Sequence, residues 1–264
     1  DGAQAENIKL GSTLSDDQHA AKSFDFMLSN PPYGKSWKTD MDRLGGKGEI
    51  TDARFVVPHL EDPELKMIPR SSDGQLLFLA NKISKIKHNT ALGSRVVEVH
   101  NGSSLFTGDA GQGESNLRRY IIENDWIEAI IALPENMFYN TGIATFIWVV
   151  TNRKAPHRRG KIQLIDATSM KSPLRKNLGN KNCELTKELR AQITQLLTDF
   201  AETEQAKILD NREFGYHKVT VERPLRLAVD LSAENLAEFE AVCLKANEME
   251  TIKVLREAAW QLKQ

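Results

Sequence analysis

The stretch FDFMLSNPPY, Phe24 to Tyr33, decides the fold expected of this chain. Phe26, Met27 and Leu28 make a short apolar run of the kind carried by a parallel strand covered on both faces. Asn30 ends the run, and Pro31 and Pro32 cannot extend a ladder because neither has a backbone N–H. A buried strand thus hands an amide, two rigid rings and the aromatic Tyr33 to a loop, and doubly wound sheets bind ligands just past such carboxyl ends. A plain Pro-rich strand exit, with Asn30 as a turn residue, is the alternative.

Outward from this stretch, strand and helix periods alternate. Asn7 to Leu10 reads as a short strand before Gly11. Asp73 to His88 sets Leu76, Leu77, Leu79, Ala80, Ile83 and Ile86 at helical spacing, entered through Ser72 or Asp73 as cap. Arg95 to His100 alternates as a strand, and Glu114 to Asn124 reads as a helix. Trp126 to Leu133, Ala144 to Val150 and Lys161 to Ala167 follow as strands. Such alternation predicts an α/β doubly wound sheet. Glu184 to Thr203 is an amphipathic helix, Tyr216 to Val221 a strand, and Ser232 to Gln264 helical again. The expected division is an α/β domain over residues 1–168 and a mainly helical extension over 169–264 with its one strand near 216–221.

Composition bounds the function. With 264 residues, 40% of them hydrophobic, the chain can bury a substantial core. Its 35 basic and 36 acidic residues give a formal charge of −1, so any nucleic-acid contact is local or shared with a partner. Cys183 and Cys243 lie far apart without metal-ligand spacing, which suits a reducing cytoplasm, and the six histidines form no metal cluster in sequence. No apolar run approaches the roughly 20 residues of a membrane span. The chain opens on Asp1, which suggests a piece of a longer protein.

Between Gly34 and Gly74 no regular pattern emerges, and a long irregular loop is expected. Its Lys35, Trp37, Lys38, Arg43, Lys47, Arg54, Lys66 and Arg70 could meet backbone phosphates, or simply be solvated beside the acidic residues of the same segment. The basic run from Asn152 to Gly160 reads as a solvated turn. Gly108 to Gly113 is a flexible glycine-rich turn that lacks the spacing of a dinucleotide fingerprint.

The chemistry offered by the first stretch is specific. Asn30 brings an acceptor, the prolines hold backbone carbonyls in fixed directions, and Tyr33 provides a flat face worth roughly 1–3 kcal/mol per stacked base. Such a loop suits a planar base with an exocyclic amine, whose lone pair would be localised once both hydrogens are accepted.

NPPY after an apolar strand resembles motif IV of the amino-methyltransferases. With GSTLSDD (11–17), NGSSLFTGDAGQGESNLRRYIIEND (from Asn101), IIALPENMFYNTGIATFIWVV (from Ile130) and FGYHKVTVERPLRL (from Phe214), most of the chain to about Leu227 resembles the modification subunit of type I restriction-modification systems, in the N-6 adenine-specific DNA methylase family. The resemblance implies a Rossmann-like methyltransferase fold with a doubly wound mixed sheet, here without its first strands. It also implies methyl transfer from S-adenosyl-L-methionine to the amine of a flipped adenine in double-stranded DNA, in company with specificity and restriction subunits in a bacterial or archaeal cytoplasm. Asn30, Pro31, Pro32 and Tyr33 would be catalytic. Phe138, with Tyr139 second, would cover the base, and Ser12, Thr13, Leu14 and Asn30 would touch the cofactor. Methyltransferases acting on RNA or a protein glutamine share NPPY, and a non-catalytic assembly role is the other alternative. The glycine-rich cofactor turn of the family precedes the NPPY strand, and the 23 residues before Phe24 do not hold it. The main cofactor turn is therefore expected to be missing from this chain, and weak cofactor binding by these 264 residues follows.

Overall fold

The computed structural model describes residues 2–46, 48–139, 141–217, 219–222, 232–245 and 248–261. They fall into two units, Asp1–Lys218 and Val219–Gln264. In the first, the strands in chain order are β1 (Phe26–Ser29), β2 (Val56–His59), β3 (Asp62–Lys66), β4 (Arg95–Asn101), β5 (Ile127–Leu133), β6 (Thr145–Thr151), β7 (Lys161–Asp166), β8 (Ser172–Leu178), β9 (Lys181–Glu184) and β10 (Ala206–Asp210). Its helices are α1 (Gly2–Ala5), α2 (Lys38–Arg43), α3 (Gln75–Ile83), α4 (Ser103–Phe106), α5 (Gly113–Glu123) and α6 (Lys187–Asp199). The second unit contains α7 (Ala233–Lys245) and α8 (Met249–Gln261), where Arg256 Nε and Glu240 Oε1 pair at 2.7 Å.

Six strands form one mixed sheet in the order β1-β4-β6-β5-β7-β10, so the α/β doubly wound class holds. β1 is parallel to β4 and β5 to β7, whereas β6 runs antiparallel between β4 and β5. The chain reverses there because the connection from Pro134 to Ala144 is too short to carry a crossover helix back to the starting edge. By contrast, β1 and β4 are joined through α3, which supplies that crossover.

Each face is covered by helix. Leu76, Leu77, Leu79 and Ile83 of α3 and Leu117 and Ile121 of α5 pack with Val96, Trp148 and Ile162. On the other face Ile193 of α6 packs with Ala129, Ile131, Val149 and Ile165. Thr186 caps α6 by accepting from the Leu189 amide, the reason that helix starts where it does.

Several expectations need correction. Among the described residues β1 is the edge strand and is covered on one face: Met27 is buried, but Phe26 and Leu28 are 65% and 77% exposed. Asn7 to Leu10 forms no strand, because no described strand lies beside it to complete a ladder, and Leu10 is 99% exposed. The segment 34–74 is built rather than irregular, with α2 and the β2–β3 hairpin holding Ile50, Phe55, Leu65 and Met67 in the core. α3 is shorter than Asp73 to His88 and is preceded by Gly74 at its N-cap, with no side-chain cap.

The run 152–160 is not merely solvated. Lys154 Nζ pairs with Asp125 Oδ1 at 2.6 Å, and Arg158 lies over the Phe200 ring. Residues 172–184 form the β8–β9 hairpin, and Ala206–Asp210 joins the sheet beside β7. Tyr216, His217 and residues 219–222 form no strand; Tyr216, Val219 and Val221 are exposed and unpaired in any ladder. The first unit consequently extends to Lys218, not 168, since α6 and β10 complete the sheet's packing.

Candidate active site

Asn30 leaves β1 directly after Ser29, the last residue in register with β4. Its side chain is exposed and accepts or donates no hydrogen bond among the described residues. Pro31 is buried, Pro32 exposed and Tyr33 half-buried, and burial pushes the Tyr33 hydroxyl above its ordinary pKa. The turn that follows is pinned. Gly34, at φ +66°, donates its amide to Asp73 Oδ1 at 3.1 Å, a backbone conformation that glycine takes without strain. The Trp37 amide donates to Ser71 O at 3.0 Å, and Trp37 Nε1 to Arg70 O at 2.9 Å. Trp37 is therefore core and not open to backbone phosphates.

Behind the loop lies a polar cluster that anchors it. Gln75 Oε1 accepts from the Asn101 amide and from His100 Nδ1, both at 3.1 Å. Gln75 Nε2 reaches Asp73 Oδ2 at 2.8 Å, Asn101 Oδ1 at 2.7 Å and Ser103 Oγ at 2.9 Å. Deeper still, Glu98 and His100 are wholly buried, with Lys82 Nζ donating to Glu98 Oε2 at 3.0 Å. Burial outweighs the Lys82 ammonium and raises the Glu98 carboxyl to about 7. Burial, then Lys82, depresses His100 to about 3. The arrangement keeps the imidazole neutral.

Ser12, Thr13 and Leu14 sit on a neighbouring shelf. Ser12 Oγ donates to Asp40 Oδ1 at 2.6 Å, and Leu14 belongs to the core. Arg54 holds both following carbonyls, with Nη1 donating to Thr13 O at 2.9 Å and Nη2 to Leu14 O at 2.6 Å. Thr13, exposed, lines a groove of about 370 Å³ with Gly11, Asp16, Phe26 and Leu28. Phe138 and Tyr139 lie beyond β5. Phe138 packs on the α6 side of the sheet, and Tyr139 is exposed with the Lys181 ammonium 5.3 Å from its ring centre. The sheet order puts β4 and β6 between β1 and β5, so the two strand ends stand about 14 Å apart at ordinary strand spacing. Asn30 and Phe138 thus share an edge of the sheet without being brought into contact by it.

A sequence model of the family described as N-6 DNA methylase matches residues 1–222. The chain belongs to the N-6 DNA methylase family. It is 26% identical over 219 residues to the MjaIX type I restriction enzyme methylase subunit of Methanocaldococcus jannaschii, a match covering 83% of this chain and 35% of that protein. It is 26% identical over 151 residues to the HindI type I methylase subunit of Haemophilus influenzae, covering 57% of this chain and 29% of that protein. The fold resembles the crystal structure of a type I restriction-modification methyltransferase subunit from Streptococcus thermophilus, with TM-score 0.59 and 22% identity over 76% of this chain and 38% of the other. The chain spans about a third of the length of the curated relatives it matches.

The family's methyl donor, S-adenosyl-L-methionine, is expected at four residues of this chain, and two of them keep polar side chains without a partner among the described residues. Thr13 and Asn30 offer free polar atoms; the Ser12 hydroxyl is committed to Asp40, and the Leu14 side chain is in the core. Among the described residues no group of three or more His, Cys, Asp or Glu side chains is placed to hold a metal ion. No described helix is long and apolar enough to cross a membrane. The anchoring residues Asp73, Gln75, Asn101 and Ser103 carried one sequence signal: polar residues opening an otherwise apolar helix and closing an apolar strand.

Proposed function

We propose that this chain supplies the catalytic loop of a type I restriction-modification methyltransferase subunit, which methylates the exocyclic amine of an adenine flipped out of duplex DNA. The observation that carries the reading is the Asn30 side chain, free and exposed at the carboxyl end of β1, on a loop whose far end is fixed by Asp73. Extrusion of the base costs a few kcal/mol and presents its amine edge to the loop. Asn30 Oδ1 and the Pro31 carbonyl accept the two amine hydrogens, which localises the nitrogen lone pair. Tyr33 stacks on one face of the base, and Phe138, with Tyr139 beside it, covers the other. S-adenosyl-L-methionine supplies the methyl group. Thr13 and Asn30 face it, and the surplus amine proton leaves to solvent. Catalysis here is orientation, since no charged base is required.

Duplex DNA, a specificity subunit and a restriction subunit are the partners this reading requires. Lys35, Lys38, Arg43, Lys66 and Arg70 are exposed and open to phosphates, whereas Arg54 is spent on internal carbonyls. The test incubates the full-length protein and its specificity subunit with methyl-labelled S-adenosyl-L-methionine and duplex DNA. Label on adenine supports the proposal; label confined to RNA or to protein overturns it.

A further inference from the structure

Four buried polar atoms on one face of the sheet make no close hydrogen bond: Ser29 Oγ, Glu98 Oε1, His100 Nε2 and Trp148 Nε1, although the Ser29 hydroxyl lies near enough to Glu98 to favour its ionised form. They are neighbours. Ser29, Glu98 and Trp148 stand in one row across β1, β4 and β6, and His100 is two residues along β4. Glu98 Oε1 and His100 Nε2 are 3.9 Å apart. Buried groups are rarely left without partners, so a cluster of four demands a physical account.

Hydrogen-bond bookkeeping identifies the missing proton. The Asn101 backbone amide can only donate, so the Gln75 atom it meets is the oxygen. His100 Nδ1 meets that same oxygen and must therefore carry a hydrogen. With Nδ1 as donor, a neutral imidazole leaves Nε2 as a bare acceptor. The atom facing it is a carboxyl oxygen, which can donate only when protonated. The pair is about 1 Å beyond hydrogen-bond distance, a gap that a concerted shift of the two side chains would close while Oε2 accepts from Lys82. Once ionised, the same Oε1 instead becomes an acceptor for the Ser29 hydroxyl on β1. The charged and titratable groups around Glu98 are Lys82 from α3 and His100 from its own strand, while β1 and β6 contribute the neutral Ser29 and Trp148.

We propose that Glu98 and His100 Nε2 share a proton, and that this proton seats the NPPY loop through the chain His100–Gln75–Asp73–Gly34. Each link of that chain is a hydrogen bond in the structure: Nδ1 to Gln75 Oε1 at 3.1 Å, Gln75 Nε2 to Asp73 Oδ2 at 2.8 Å, and the Gly34 amide to Asp73 Oδ1 at 3.1 Å. Burial favours the neutral form of both titrating groups, which is the form the shared proton needs. Glu98 is a positioning residue, acting on the loop through others. Its bearing on methyl transfer rests on the function proposed above; the shared proton does not.

The test is nitrogen-15 NMR of the His100 imidazole in the full chain, with pH as the variable. The expected result is the Nδ1–H tautomer throughout, with Nε2 resonating as a hydrogen-bonded acceptor below neutrality and as a free one above it. Glu98→Gln, whose amide always donates, should hold the low-pH position at every pH. Lys82→Met should move the midpoint upward, because it removes the cation that favours the ionised carboxyl. An Nε2–H tautomer, an imidazolium at neutral pH, or an Nε2 resonance indifferent to both pH and Glu98→Gln overturns the proposal. Hydrogen exchange reads the loop. Gly34 amide protection, corrected for intrinsic rate, should fall about five- to tenfold above the midpoint, the worth of one hydrogen bond, and stay constant in Glu98→Gln. Unchanged protection in the wild type removes the loop from the proposal. Failure of the full complex to methylate adenine would overturn the function and leave these spectra as they are.

Discussion

The Gly34 amide donates to Asp73 Oδ1 at 3.1 Å, and this bond ties the end of the NPPY loop to the turn that leads into α3. The same carboxylate accepts from the Gln75 amide at 3.2 Å and from Gln75 Nε2 at 2.8 Å. Asp73 thereby joins the loop, the helix start and the carboxyl end of β4. The Ser103 hydroxyl donates to this carboxylate as well, so Asp73→Ala strips a buried acceptor from four donors and should lower stability by about 2–4 kcal/mol. Asp73→Asn keeps Oδ1 as acceptor and should lose less. Urea denaturation of the two variants checks the order.

Asn30 makes no structural bond, so its loss should spare the fold. Asn30→Ala is expected within about 0.5 kcal/mol of the wild type in unfolding free energy. Methyl transfer by the full complex should fall by about 10²–10³, the usual loss when one preorganised polar contact to the reacting group is removed. Retained transfer would take Asn30 out of the mechanism.

Arg54 is a half-buried structural hub. Besides the Thr13 and Leu14 carbonyls it meets Asn81 Oδ1 at 2.9 Å, Asp52 Oδ2 at 2.7 Å and Asp17 Oδ2 at 3.5 Å. Lysine cannot reproduce this fork. Arg54→Lys and Arg54→Ala should both cost about 1–3 kcal/mol, since either leaves the Thr13 and Leu14 carbonyls and the Asp52 carboxylate short of donors. Thermal melting should show both variants well below the wild type and close together.

Acid stability carries a signature of opposite signs. For Asp17 burial raises the carboxyl, but the Lys85 and His19 hydrogen bonds and the Lys85 and Arg54 charges outweigh it and leave the pKa lowered. Its contribution is present above the ordinary value of 3.8 and is lost as pH falls through the folded one. His100, held at about 3 against 6.5, charges in the unfolded chain first, so its neutral burial costs stability as pH falls from 6.5 towards 3. Glu98 runs the other way: raised from 4.5 to about 7, it costs stability as pH rises across that window. Glu98→Gln should therefore gain on the wild type between about pH 4.5 and 7 and hold a constant margin above. A margin independent of pH in melting curves would refute the buried carboxyl.

Gly113 opens α5, where alanine would ordinarily stabilise a helix. Here an added Cβ would lie 1.9 Å from the Ile68 carbonyl oxygen, and backbone must move. Gly113→Ala should destabilise, by about 1–3 kcal/mol in denaturant unfolding.

Much of this was legible in residue order. The apolar periods of 76–83, 95–101, 117–121, 127–133 and 145–151 matched their elements because those segments bury a face against the sheet, and burial imposes the period. The NPPY loop announced itself through covalent restriction, since two prolines forbid a continuing ladder wherever they stand. The hairpin at 172–184 and β10 escaped because short, polar strands carry little periodic signal, and their pairing is supplied by distant partners.

What the amino-acid order determined by itself was the class of fold and the family, because these rest on side-chain types and on backbone torsions set locally. Only the tertiary structure decided which charges are spent and which remain. Arg54, Lys85, Lys154 and Arg158 looked like surface until their carboxylates and carbonyls arrived from other segments. Phe26 and Leu28 looked like core, but their face of β1 is left uncovered by the described residues. The buried Glu98 and His100 stand in an alternating strand like any other, and their coupling to the loop comes from α3 folding back to place Lys82 and Gln75 beside them. Burial and pairing are properties of neighbours in space, and residue order does not contain those neighbours.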